Sequence, residues 1–312
     1  MPDSKTDHAI ILLQIISGTV HNVVDQFLIE RRSRRLSKST LFFYERYLQE
    51  FCAWLDQVGV VNLDELTPDL LRRFFLTLGA AGHNAGGIDV YYRCVRALLT
   101  WWSEETDGEY RNPMNKVKRP RVVVQPLPGV AIGDIHKMVE ACTTSTAARD
   151  RAILLCLLDS GCRRGEFLAL NVADVDLVTG AVRIQHGKGD KARTVYLGAR
   201  SRKALIRYLK TRPDLKASSP LFASQDGSRF SSDGLKSMIR RRAAAAGVEP
   251  PGLHDFRRCF AIEMQRNGVD PVTISRLLGH SSLQVTLRYL AQNEDDFRAA
   301  HKMGSPVDNA EL

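Results

Sequence analysis

The chain has 312 residues, room for two domains with separate cores, and its 44% apolar and 25% charged side chains are those of a soluble globular protein. Its net charge is +9 and suits a polyanionic partner; residues 1–125 hold 16 basic and 15 acidic side chains against 28 and 20 in residues 126–312. Six scattered cysteines without a C-x-x-C pair argue against a disulfide framework and read as reduced core thiols of a cytoplasmic protein.

In chain order, the apolar run AIILLQII at 9–16 is too short to span a bilayer, and the Asp3 and Asp7 flank does not suit a signal peptide. It is expected to begin a packed or partner-binding helix, with no membrane association. In STLFFYERYLQEFCAWLDQVG, Leu41, Tyr44, Leu48, Phe51, Leu55 and Val58 recur at steps of three and four, predicting one buried helical face. Thr67 and Pro68 cap the next helix, and Tyr91, Val95, Leu98 and Trp102 form a third such face between Gly87 and Gly108. Residues 1–111 are therefore expected to form a helical domain of four or five helices.

The stretch NPMNKVKRPRVVVQPLPG, residues 112–129, carries four prolines and the cations Lys116, Lys118, Arg119 and Arg121. Proline forbids a continuing helix, so this segment is expected to be a stiff basic linker. Residues 130–312 read as a mixed domain. Helical patterns cover roughly 132–142 and 148–159, and AVRIQ and RTVYL read as an antiparallel hairpin closed by HGKGDKA. Further helical patterns follow near 199–211, 233–246, 255–267, 271–278 and 282–291. The fold class expected is mainly α: a helical bundle followed by an α+β domain with a small antiparallel sheet.

Five stretches of this second domain hold groups that suit a phosphate-handling site. DSGCRRGEFLAL places Arg163 and Arg164 at a helix–loop boundary, with Glu166 three residues after Arg163. HGKGDKA sets Lys188 at the hairpin tip, and it lacks the frame of a nucleotide-binding P-loop. LHDFRR spaces His254 and Arg257 by three, one face of a helix. LLGH ends in His280, and Tyr289 follows nine residues later. Each stretch alone has an ordinary structural reading. No metal-ligand cluster or nucleotide loop is present, so neither metal nor cofactor is expected.

The order G-x-R-x-x-E, hairpin lysine, H-x-x-R, LGH and tyrosine, over about residues 150–291, resembles the active-site series of the tyrosine recombinase (phage integrase) family. The resemblance implies that the first domain is a SAM-like core-DNA-binding domain and the second a catalytic domain. It implies that Arg163 and Arg257 hold the scissile phosphate, with His280 as a third ligand. Lys188 would protonate the departing 5′ oxygen, His254 would assist proton transfer at the nucleophile, and Glu166 would orient its neighbours. Tyr289 would attack to form a 3′-phosphotyrosyl intermediate. Arg164, outside the G-x-R spacing, is expected on the surface. The implied partners are double-stranded DNA, a homotetramer on two DNA sites, and accessory DNA-bending or directionality proteins.

Two rivals stand beside this reading. DPVTISRLLGHSSLQVTLRYL alone reads as a helix–turn–helix with a recognition helix at 282–291, as in a regulator. A type IB topoisomerase uses a similar constellation but relaxes DNA. The residues after Tyr289, LAQNEDDF, depart from the threonine–histidine continuation associated with Xer recombinases and point to an integrase of a mobile element, and residues 294–303 read as a short terminal helix. The DNA target sequence is not legible in the side chains alone.

Overall fold

A computed structural model of the chain describes residues 18–122, 129–185, 192–280, 282–287, 289, 298, 301–305 and 307. It divides into two compact units, Met1–Val124 and Gln125–Leu312.

The first unit is helical: α1 (Val20–Ser33), α2 (Lys38–Gln57), α3 (Pro68–Ala80) and α4 (Ala85–Glu105), with short 3₁₀ turns at Leu63–Glu65 and Pro113–Lys116. Each later helix starts where a side chain satisfies an orphan amide. Ser37 accepts from Thr40 N at 3.2 Å, Thr67 from Leu70 N at 3.2 Å ahead of Pro68, and Asn84 from Gly87 N at 2.8 Å. The predicted faces hold at Leu48, Phe51, Leu55, Tyr91, Val95 and Leu98, all buried, and fail at Val58, which is exposed just past the end of α2. Phe27 of α1 sits edge-on to Tyr44 and Trp101, tying three helices into one aromatic core.

The proline-bearing segment leaves this unit later than its composition predicts. Tyr110, Met114 and Val117 are buried in the same core. The Val117 carbonyl accepts from Tyr92 Oη at 3.0 Å and that of Lys116 from Arg72 at 3.1 Å. Arg119 grips the buried Asp89 carboxylate with Nε and Nη2 at 2.6 and 2.9 Å. That fork holds the Asp89 carboxyl below its usual range. Residues 110–119 are thus part of the bundle: Pro113 is accommodated at the start of a 3₁₀ turn, and the remaining three prolines of the stretch lie beyond Arg119.

The second unit holds α5 (Ile132–Glu140), α6 (Ala147–Ser160), α7 (Arg164–Ala169), a 3₁₀ turn (Val172–Asp174), β1 (Ala181–Ile184), β2 (Arg193–Tyr196), α8 (Ala199–Leu209), α9 (Ser232–Ala246), α10 (Leu253–Arg266), α11 (Pro271–Leu278) and α12 (Leu283–Leu287). The strands pair antiparallel in the register Ala181↔Tyr196 to Ile184↔Arg193. Val182, Ile184 and Val195 turn into the core. The central helix α6 is anchored through the fully buried Asp150, which accepts from Arg149 Nε and, across 92 positions, from Arg242 Nε of α9, both at 2.9 Å. Two guanidiniums compensate that carboxylate where water cannot. Among the described residues no helix is long and apolar enough to cross a membrane.

Candidate active site

Helix α6 ends at Gly161, in the left-handed region at φ 57°. A Cβ there would also lie 2.7 Å from the Phe260 ring, so glycine is required twice. The turn aims the Gly161 carbonyl at Arg257 Nη1, 2.7 Å away, while Arg257 Nη2 donates to the Leu278 carbonyl at 2.7 Å. Arg257 is only 2% exposed, and burial, then the Arg163 and Arg193 charges, push its pKa down to about 10. It stays charged at neutral pH.

Two residues on, Arg163 caps α7. Glu166 accepts from the Arg163 backbone N and from its Nη1, both at 2.9 Å, while Arg163 Nη2 reaches the Gly279 carbonyl at 2.7 Å. The G-x-R-x-x-E spacing is therefore a capping arrangement that immobilises the arginine it begins with. Arg164 is exposed, as expected.

Glu166 has a second partner that the sequence motifs do not single out. Arg193, the first residue of β2, donates through Nη1 and Nη2 to the two Glu166 oxygens at 2.9 and 2.6 Å, and through Nε to the Leu277 carbonyl at 2.9 Å. Burial raises the Glu166 pKa, but the hydrogen bonds from Arg193 and Arg163 outweigh it and bring it down to about 2. Gly279 caps α11 at φ 64°, and a Cβ on it would press on the Arg193 side chain at 3.0 Å. That close approach lets the chain deliver His280 beside the arginines.

His280 and Tyr289 come together around α12. His280 Nδ1 lies 2.7 Å from Thr286 Oγ1, and Tyr289 Oη lies 2.7 Å from His254 Nε2. The Tyr289 ring stands edge-on to both imidazoles, with centroids 5.6 Å from each. Burial, then the Arg258 and Arg257 charges, lower the His254 pKa. Burial and the Arg257 and Arg163 charges bring His280 down to about 4. Both imidazoles are neutral near pH 7, so each has one N–H and one acceptor nitrogen.

The fold thus brings together Arg163, Glu166, His254, Arg257, His280 and Tyr289. Lys188 lies outside the described residues. Among the described residues no cluster of His, Cys, Asp or Glu is arranged to hold a metal ion. The helix–turn–helix reading of 282–291 fits the arrangement poorly. Thr286 is fully buried against His280, and Tyr289 is turned onto two histidines rather than presented for base edges.

Two guanidiniums, two neutral imidazoles and a phenol gathered in a mainly helical domain with a small antiparallel sheet have the chemistry of a phosphoryl-transfer site. Residues 132–296 match the phage integrase family, and residues 24–108 match the phage integrase N-terminal SAM-like domain. The chain is 31% identical over 291 residues to the tyrosine recombinase XerC of Pelobacter propionicus, covering 88% of this chain and 91% of that one. It is 29% identical to XerD of Listeria monocytogenes, covering 84% and 90%. Its fold is similar to that of the Tn1549 transposon integrase solved with a circular intermediate DNA, at TM-score 0.75 and 18% identity over 92% of this chain and 99% of that one. The chain belongs to the phage integrase family of tyrosine recombinases, and it is a DNA strand-transferring enzyme.

Proposed function

We propose that the protein cleaves and rejoins duplex DNA at a specific site, with Tyr289 as nucleophile and Arg163, Arg257 and His280 around the scissile phosphate. The observation that carries this assignment is the 2.7 Å hydrogen bond between Tyr289 Oη and His254 Nε2 beside two guanidiniums. A phenol with an ordinary pKa of about 10 is a weak nucleophile at neutral pH and needs a base or a strong positive field. Neutral His254 is the base: it takes the phenolic proton as Oη bonds to phosphorus. Arg163 and Arg257 counter the charge that grows on the non-bridging oxygens, and their forks are pre-set by Glu166 and by backbone carbonyls. Lys188, which falls between β1 and β2 in sequence, gives its proton to the departing 5′ oxygen. The resulting phosphotyrosyl ester keeps the energy of the broken bond, so a second DNA end can displace Tyr289 without an outside energy source.

Exchange between two duplexes calls for four such sites, and the proposed working form is a homotetramer on paired DNA sites in the cytoplasm, served by accessory DNA-bending or directionality proteins. Similarity to Xer recombinases over most of the chain supports an Xer-like body. The LAQNEDDF departure after Tyr289 supports service to a mobile element.

A nicked half-site duplex, taken from an inverted repeat once one is identified beside the encoding gene, tests the reading. Wild type is expected to trap a covalent adduct on denaturing gels, and Tyr289→Phe none. An adduct with Tyr289→Phe refutes the nucleophile. Relaxation of supercoils without recombination of paired sites would favour a topoisomerase instead.

A further inference from the structure

Thr286 has no part in the reaction outlined above, yet it touches both ends of it. Its side chain is fully buried, and its Oγ1 lies 2.7 Å from His280 Nδ1. Its backbone carbonyl accepts from Tyr289 N at 2.8 Å. On the far side of His280, Gly279 and the α11 cap fix the main chain, with His280 N donating to the Ser275 carbonyl at 3.0 Å. The imidazole is therefore held from both directions, by backbone at one end and by a single hydroxyl at the other.

The direction of that hydroxyl contact decides what His280 can do. A neutral imidazole has one N–H. If Nδ1 held it, Nδ1 would donate to Thr286 and Nε2 would turn a bare lone pair towards the anionic phosphate. The buried Thr286 hydroxyl proton would then have no acceptor among the described residues, an arrangement folded proteins avoid. If Thr286 donates to Nδ1, its proton is satisfied and the imidazole N–H sits on Nε2, where it can donate to a phosphate oxygen. Among the described residues, the second arrangement is the one that gives the Thr286 hydroxyl proton an acceptor, and it leaves Nε2–H free for a phosphate oxygen. His280 is neutral near pH 7, so the tautomer question is real for it.

We propose that Thr286 is a positioning residue that sets the tautomer of His280, its hydroxyl donating to Nδ1 so that Nε2–H faces the scissile phosphate. This rests on the phosphate-ligand role given to His280 under the proposed function. The same residue sets where the nucleophile begins, through the carbonyl that receives Tyr289 N. Phosphate ligand and nucleophile are thereby spaced by one short segment, Leu283–Leu287.

Thr286→Val keeps the shape and the carbonyl but removes the hydroxyl, and Thr286→Ser keeps the hydroxyl. The first readout needs no catalysis: ¹⁵N NMR of the histidine-labelled full chain at neutral pH, with His280→Gln to assign the signals. Wild type and Thr286→Ser are expected to show protonated Nε2 and acceptor Nδ1, and Thr286→Val a mixture of tautomers. The second is single-turnover adduct formation on the nicked half-site. Loss of a whole transition-state donor costs about 10²–10³ in rate, and a tautomer mixture forfeits only part of it. Thr286→Val is thus expected about 10- to 100-fold slow, with half-site affinity unchanged and Thr286→Ser within a few-fold of wild type. A wild-type His280 protonated on Nδ1 overturns the proposal. So does a Thr286→Val protein that cleaves at the wild-type rate, or one that slows with its tautomer unchanged. Equal loss in the serine variant also overturns it. Absence of adduct from wild type would instead count against the proposed function, leaving the NMR result to decide the tautomer by itself.

Discussion

Glu166→Gln separates charge from shape at the base of the site. The side chain is 4% exposed and accepts from Arg163 N, Arg163 Nη1, Arg193 Nη1 and Arg193 Nη2. The substituted amide would keep the volume and one acceptor oxygen, but it would turn an NH₂ towards guanidinium donors and leave both arginines without their counter-charge. Removing one partner of a buried ion pair costs about 3–5 kcal/mol. Proton linkage gives a second route to the magnitude. The Glu166 pKa falls from its ordinary 4.5 to about 2 on folding, so the ionised group contributes about 3 kcal/mol at neutral pH. Because the folded value is the lower one, that contribution is complete above the unfolded value of 4.5 and fades as pH falls towards 2. At pH 3, about 2 kcal/mol of it is gone. Urea unfolding of wild type and variant at pH 7, 5, 4 and 3 measures this directly. The destabilisation of Glu166→Gln is expected to be about 3 kcal/mol at pH 7 and to shrink to roughly 1 kcal/mol at pH 3, as the wild-type carboxyl itself becomes neutral. A difference that stays constant across that range would refute the reasoning, because it would trace the loss to packing and not to charge. The stable fraction of Glu166→Gln should also form adduct slowly, since Arg163 loses the partner that fixes its fork.

Two further outcomes follow from the same geometry. His254 accepts the phenolic proton only when neutral, and its pKa is held below the usual 6.5 by burial and by Arg258 and Arg257. Adduct formation should therefore be flat through neutral pH and fall only on the acid side of that lowered value; an acid limb centred above 6.5 would contradict the assignment. His254→Ala should slow it by about 10²–10⁴ and remove the limb. Gly161→Ala combines a left-handed residue with a Cβ 2.7 Å from Phe260. It should lose about 2–5 kcal/mol in urea unfolding, from about 1–2 of backbone strain and about 1–3 of overpacking. A variant as stable as wild type would show that the turn relaxes without cost.

What can be read from the sequence, and what cannot, divides along the range of the interactions. The helical faces at Leu48, Phe51 and Leu55, and at Tyr91, Val95 and Leu98, rest on a period of 3.6 that each segment carries within itself. Arg163 with Glu166 is legible for the same reason, since three residues on a helix start place the carboxylate over the N-cap amide. The linker expected over 112–129 takes in Met114 and Val117, which are buried in the bundle; its prolines mask the steps of four and three by which they continue the face of Tyr110. Arg193 escapes notice because HGKGDKAR presents it as one more cation of a hairpin, and its carboxylate partner lies 27 positions away. A signal is present even so. Strand alternation puts Arg193 in phase with Val195, which is buried, so the arginine points to the inner face. A charge on the inner face of a strand must meet an opposite charge there, and Glu166 is the acidic residue that the motif order already brings to the site. Thr286 has no such local mark. Its importance arises when the α11 cap turns His280 back over α12, and a turn of that kind is decided by Gly279 against Arg193 rather than by anything in the run LQVTL. The residues that hold a site's chemistry are thus more visible than those that hold its geometry. The former are recognised by type and order, the latter by contacts that exist only after folding.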